Sequence, residues 1–183
     1  GALEFIDNPS EEVQKLAVQE DGSVIKLIKN PSEEMKKLAV FSYPDVIKTI
    51  QNPTEEMKLV AVKKNPYVIQ FIKNPSEEVQ LAAISKAPVV IELYDNPSEN
   101  AMLLSLKLSG GTTIKYIKNP SEEMKLAAVK QNPFSIQYIQ DPSEELQLMV
   151  VKQKPEYIKL IQNPTEEIQK LAIKENPYLI QFI

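Results

Sequence analysis

Apolar residues return along this chain at fixed offsets from a polar marker. Where Asn or Asp is followed by Pro, Ser or Thr, and Glu, the positions five, eight, nine and ten residues further on are apolar, as at Val79, Ala82, Ala83 and Ile84 after Asn74. This is helical spacing, and the apolar arc is wider than one stripe, which predicts a helix (helix A) buried against more than one neighbour. The ninth position is Ala at Ala17, Ala39, Ala61, Ala83, Ala128 and Ala172, a small residue where helices approach closely. Fourteen residues past the marker a second Pro recurs, as at Pro44, Pro66, Pro88, Pro133, Pro155 and Pro177, often preceded by Asn (Asn65, Asn132, Asn176). Apolar residues follow that Pro by three and six: Ile69 and Ile72, Ile136 and Ile139, Ile180 and Ile183. They predict a second helix (helix B) of about eight residues, roughly 12 Å long and short enough to be partly 3₁₀.

The markers begin at Asn8, Asn30, Asn52, Asn74, Asn96, Asn119, Asp141 and Asn163, so every step is 22 residues except one of 23 between Asn96 and Asn119. Residues 2–7 read as the second half of a preceding unit. The pattern defines eight two-helix repeats in one repeat domain spanning 1–183, with an atypical fifth repeat over 96–118. Short helical units that cannot bury their faces alone must stack, which predicts an all-α fold, an α-solenoid coiled as a right-handed superhelix. The marker itself reads as a helix start. Asn or Asp is the expected N-cap, Pro the N1 residue and Glu the partner in a capping box, with Asp141 in place of Asn fitting that capping role. Pro biases its predecessor away from helical angles, placing the boundary at Asn rather than at Ser. Paired glutamates such as Glu33/Glu34 and Glu122/Glu123 then fall in the first turn, where the helix dipole favours them, and are structural rather than catalytic.

The unit Asn-Pro-Ser-Glu-Glu-Val-Gln-Leu-Ala-Ala-Ile, followed by a second Pro and an Ile-x-x-Ile-type end, resembles the leucine-rich variant repeat and short helical repeats of unknown function in bacteria, phages and giant viruses. The resemblance covers Leu3 to Ile183. It implies one α-helix and one 3₁₀-like helix per unit, and it is nearly silent about activity because repeat scaffolds are shared more widely than functions.

Composition then narrows the chemistry. There is no Cys, His or Trp, and all 21 basic residues are Lys. Disulfides, thiolate or imidazole metal sites, Ser-His-Asp or Cys-His nucleophiles and histidine acid-base catalysis are therefore excluded. The chain lacks the bidentate Arg fork for phosphate and guanine, and its net charge is −4, so nucleic acid is not an expected partner. The bias toward Lys, Asn and Ile suits an AT-rich genome, as in many bacteria and phages. No signal peptide and no apolar run long enough to span a bilayer is visible, so a soluble, cytoplasmic protein without a membrane partner is expected.

Departures from the repeat mark candidate functional residues. An aromatic series follows the second Pro: Tyr67 and Phe71, Tyr116, Phe134 and Tyr138, Tyr178 and Phe182. Pairs four residues apart share an α-helical face, so the rings form either an aligned surface for a protein segment or planar ligand, or a core layer covered by adjoining repeats. The fifth repeat is the second departure. Met102 and Leu108 replace polar residues, Ser109-Gly110-Gly111-Thr112 replaces the Asn-Pro start, and Tyr94 lies just before. These residues form either an exposed apolar patch with a Gly-Gly turn whose free amides hold an anion, or locally decayed repeat with altered curvature.

The expected role is a non-catalytic scaffold, with no cofactor and no metal, binding a protein partner through the helix B surface and the fifth repeat. Two other roles stand beside it: sequestration of a small molecule or nucleotide, of a viral or phage counter-defence type, and self-assembly through uncapped apolar ends. An enzyme is not expected, because no acid pair falls outside the repeated markers.

Overall fold

A computed structural model describes residues 8–183; the half repeat at residues 2–7 lies outside the described residues. The protein is an all-α solenoid of short repeats, each an α-helix followed by a 3₁₀ helix, with no strand among the described residues. The A helices run Glu11–Glu20, Glu33–Ser42, Glu55–Lys64, Glu77–Lys86, Glu99–Leu108, Glu122–Gln131, Glu144–Gln153 and Glu166–Glu175. The B helices, 3₁₀ throughout, run Gly22–Leu27, Pro44–Thr49, Pro66–Phe71, Pro88–Leu93, Thr112–Tyr116, Pro133–Tyr138, Pro155–Leu160 and Pro177–Phe182. Two compact units result, one ending at Ser98 and one beginning at Glu99. Within each unit the A helices of successive repeats pack on one another, and so do the B helices.

The start of helix A differs from the sequence expectation. Its N-cap is the Ser or Thr of the marker, two residues beyond the Asn: the Ser32 hydroxyl accepts from the Met35 amide at 3.2 Å and that of Ser143 from the Leu146 amide at 3.3 Å. The glutamates therefore sit at N1 and N2, and an apolar residue holds N3, so no capping box forms. What the Asn supplies is a backbone turn. Asn8, Asn30, Asn52, Asn74, Asn119, Asp141 and Asn163 all have positive φ, between 45° and 56°. Asn and Asp enter this left-handed region more readily than other residues with a side chain, so Asp141 fits the turn rather than a cap. Two substitutions separate the roles: Ser143→Ala should cost about 1 kcal/mol of stability and Asn119→Gly almost nothing, read by chemical denaturation.

One residue links the two helices of a repeat. Asn65 closes helix A with its amide on the Ala61 carbonyl at 2.8 Å, and its side chain then accepts from the Tyr67 amide at 3.2 Å to open helix B. Asn132 and Asn176 do the same for Phe134 and Tyr178, as the sequence suggested.

The buried columns follow the expected offsets with two refinements. Ala39, Ala61, Ala83, Ala128 and Ala172 are fully buried, and so are the residues after the first four, Val40, Val62, Ile84 and Val129. The eighth position is only half-buried, as at Leu38 and Val60. In helix B the third and sixth residues after Pro are inward at Ile69, Ile72, Ile136 and Ile139, and the second, such as Val68 or Val90, is buried as well. Ile180 and Ile183 hold the inward columns of the eighth repeat but are exposed, Ile180 at 66%.

Glutamines at the sixth position tie repeats together. The Gln147 amide nitrogen donates to the Pro142 carbonyl at 2.9 Å while its oxygen accepts from the Thr165 amide of the next repeat at 3.2 Å. Gln80 makes the same bridge from Pro75 to Ser98, at 3.0 and 2.8 Å. These side chains are almost fully buried, which is why an amide, with a donor and an acceptor at one end, suits the site. Gln147→Ala should lower unfolding free energy by about 1–3 kcal/mol, since two hydrogen-bonding groups lose their partner. Gln169→Ala, losing only the bond to Pro164 at 3.0 Å, should cost less than half as much in the same denaturation series.

Candidate binding surface

A 3₁₀ helix repeats every three residues, so the first and fourth residues after the Pro that opens helix B share one face and the third and sixth after it another. The third and sixth face the core. The first and fourth face out, as at Tyr67 and Gln70, where the Gln70 side chain donates back to the Tyr67 carbonyl at 3.0 Å. Phe134 with Gln137 and Tyr178 with Gln181 repeat this pairing. Tyr67 and Phe71, four apart, thus stand about 120° apart around the helix rather than on one face, because the turn is tighter than an α-helix. The sequence expectation of one shared face is replaced by two neighbouring columns.

Both columns are open to solvent. Tyr67 is 50% exposed and Phe71 40%; Phe134, Tyr138, Tyr178 and Phe182 are exposed too, and Tyr116 is half-buried. Adjoining repeats do not cover these rings as a core layer. In the first unit the fifth-residue column reads Leu27, Thr49, Phe71, Leu93; in the second it reads Tyr116, Tyr138, Leu160, Phe182. Lysines are set among the rings. Lys48 lies 5.4 Å from the Phe71 ring centre, and Lys115 lies 4.8 Å from that of Tyr116 and 5.7 Å from that of Tyr138. Lys154 lies 5.8 Å from the Tyr157 ring, which meets Phe134 edge-on at 5.9 Å. These distances fall within cation–π range, each lysine lying over one face of its ring.

Three residues of the fifth-repeat region do not behave as surface elements. Tyr94 is only 8% exposed; it replaces the inward Ile of helix B, and its hydroxyl donates to the Gln80 carbonyl at 3.0 Å. Burial pushes its phenol well above the usual tyrosine range. Gly110 and Gly111, with φ of 62° and 84°, form a Schellman-type stop for helix A, in which the Gly111 amide donates to the Leu106 carbonyl at 2.8 Å. That amide is therefore committed within the chain, and the glycine pair ends helix A. The remaining two divide: Met102 packs partly buried on the core of the second unit, and Leu108 is exposed at 48%.

One polar cluster went unread in the sequence. Ser105 takes the Ala column of the fifth repeat, fully buried, and its hydroxyl bonds Thr113 at 2.8 Å; Ser109 meets Thr113 at 2.9 Å and accepts the Thr113 amide at 3.2 Å. The signal was present, as Ser in an Ala column nine residues after Asn96 and Thr in the second position of helix B. Its meaning needed the two to be brought together. A second exposed face lies on the A helices, where Leu38, Phe41 and Val60 border a shallow groove of about 310 Å³ and Lys64 covers the Phe41 ring at 3.4 Å.

Among the described residues, no His, Cys, Asp or Glu cluster could hold a metal ion, and no helix is long and apolar enough to cross a membrane. Fold and surface define a repeat scaffold of short α/3₁₀ units with ring-lined outer columns. Comparison with protein-family models, with curated proteins and with solved structures finds no match to this chain.

Proposed function

We propose that this protein is a non-catalytic scaffold that binds a protein partner along the outer face of its 3₁₀ helices, with Leu108 of the fifth repeat as an accessory contact. The observation that carries the reading is the exposure of large rings on the outer columns of each unit, Tyr67 and Phe71 in the first and Phe134 and Tyr138 in the second. Exposed aromatic side chains aligned on a rigid support are the side chains that dominate interface energies. Phe71 and Tyr138 each have a lysine within cation–π range and Phe134 meets Tyr157 edge-on, weak contacts that favour the observed ring placements. Several of the first-turn carboxylates are in ion pairs: Glu34 with Lys15 at 2.6 Å and Glu56 with Lys37 at 2.5 Å bridge neighbouring A helices, and Glu122 pairs with Lys125 of its own helix at 2.7 Å. The test is affinity capture of a stoichiometric protein by the wild-type chain. Phe71→Ala and Tyr138→Ala should each weaken it by about tenfold or more, whereas Phe41→Ala on the A-helix face should not. Capture that ignores the rings would overturn the assignment of the face.

A further inference from the structure

The grooves between successive B helices carry a second regularity. The fourth residue after the Pro column of one B helix and the sixth-position residue of the next A helix match in kind at five of seven places: Lys26 with Lys36, Lys48 with Lys58, Gln70 with Gln80, Lys115 with Lys125 and Gln137 with Gln147. Glu92 with Met102 and Lys159 with Gln169 do not match. The Gln pairs bring no charge to their grooves, one of about 510 Å³ beside Gln70 and Gln80, and Gln80 and Gln147 spend their amides tying repeat to repeat. The Lys pairs leave like charges on one groove. Between the first and second repeats this groove holds about 680 Å³, and Lys26, Lys36, Thr49, Gln51, Asn30 and Asn52 supply its polar lining with no carboxylate among the lining residues.

Two like charges bordering one groove repel each other, a cost that an anion between them reverses. Lys36 is partly neutralised by Glu33 at 2.6 Å, and Lys58 stands 3.9 Å from Glu55. Lys26 and Lys48 make no ion pair among the described residues; Lys48 leans on Phe71, and Lys26 feels the Asp21 carboxylate, which accepts from the Ser23 amide at 2.9 Å, only as a nearby charge. The two lysines stand beside an exposed column that runs Leu27, Thr49, Phe71.

We propose that the Lys26 groove and the Lys48 position one repeat on seat side-chain carboxylates of an extended acidic peptide. This rests on the protein-binding reading above and names its partner's chemistry. Packed helices lie about 8–10 Å apart and an extended chain rises about 3.1–3.4 Å per residue, so the carboxylates recur at every third residue, with apolar side chains between them meeting Leu27 and Phe71. The net charge of −4 acts against indiscriminate binding of polyacids, which makes the local lysines the source of any attraction.

The experiment titrates the protein with a labelled peptide of four Glu-Leu-Ser units and with a peptide of identical composition whose glutamates are contiguous, following anisotropy at low ionic strength. The spaced peptide should bind more tightly, weaken with salt, and lose about tenfold in affinity in the Lys26→Gln/Lys48→Gln variant. Lys63→Gln/Lys86→Gln, an equal charge change at exposed ends of A helices, should leave it within about twofold. Equal binding of the two peptides, equal loss in the control pair, or saturation by inorganic phosphate without peptide binding would overturn the proposal. If a captured protein partner depends on Phe71 but ignores Lys26→Gln/Lys48→Gln and salt, the acidic-peptide inference fails while the ring-face reading stands.

Discussion

Gly111→Ala should destabilise the second unit by about 3–4 kcal/mol, while Gly110→Ala next to it should cost only about 1 kcal/mol. Both residues have positive φ, so each substitution carries the left-handed penalty of a side chain. The difference lies in the surroundings. A Cβ on Gly110 meets nothing within 4 Å, whereas one on Gly111 falls 2.5 Å from the Ala128 carbonyl oxygen and 2.9 Å from the Ala128 Cα. Those are backbone atoms of the next A helix, and no rotamer change relieves the contact. Helix B begins against the Ala column of the following repeat, and this close approach explains why the column is Ala and why the inserted residue is accommodated by a glycine turn. Moving Gly111 would also disturb Ser135, whose hydroxyl donates to the Gly111 carbonyl at 3.3 Å. Denaturant unfolding of both variants checks the prediction; similar losses at the two glycines would refute the close-approach account.

The architecture was legible because the repeat reports it eight times over. Buried columns such as Ala61, Val62 and Ile69 could be picked from their offsets alone, as could the caps Asn65, Asn132 and Asn176. Two local features misled. Asn-Pro-Ser contains two good capping residues, and sequence alone does not say which carries the cap; the left-handed turn at Asn, which moves the boundary to Ser, shows only in the dihedrals. The 3₁₀ period likewise redistributes Tyr67 and Phe71 into separate columns that an α-helical reading merges. Tyr94 illustrates the limit for site residues. Its residue type suggests a member of the exposed ring series, yet its place six residues after Pro88, an inward column elsewhere, predicts burial once the column is given more weight than the residue type. The Gln80 and Gln147 bridges were hidden because a polar residue on a helix ordinarily faces water, and only packing of the next repeat brings Ser98 or Thr165 against it.

Ile136→Ala should cost about 3–4 kcal/mol, whereas Tyr138→Ala, two residues along the same 3₁₀ helix and removing more atoms, should cost about 1 kcal/mol or less. Ile136 is 1% exposed and sits within the apolar core of the second unit, so truncation removes buried methyl groups and leaves a cavity between repeats that the close-packed Ala128 column cannot fill by collapsing. Tyr138 is 42% exposed, and its recorded partner is the Lys115 ammonium 5.7 Å from the ring. Its removal therefore forfeits a solvent-screened cation–π contact and part of a surface column. Size predicts the opposite order, which makes the pair decisive for the columns assigned to helix B. The same two proteins also separate stability from function. Tyr138→Ala should remain folded at the wild-type denaturation midpoint, within a small shift, while losing the captured partner, and Ile136→Ala should lower the midpoint strongly. A large stability loss at Tyr138 would place that ring in the core and remove the second unit's part in the proposed binding face.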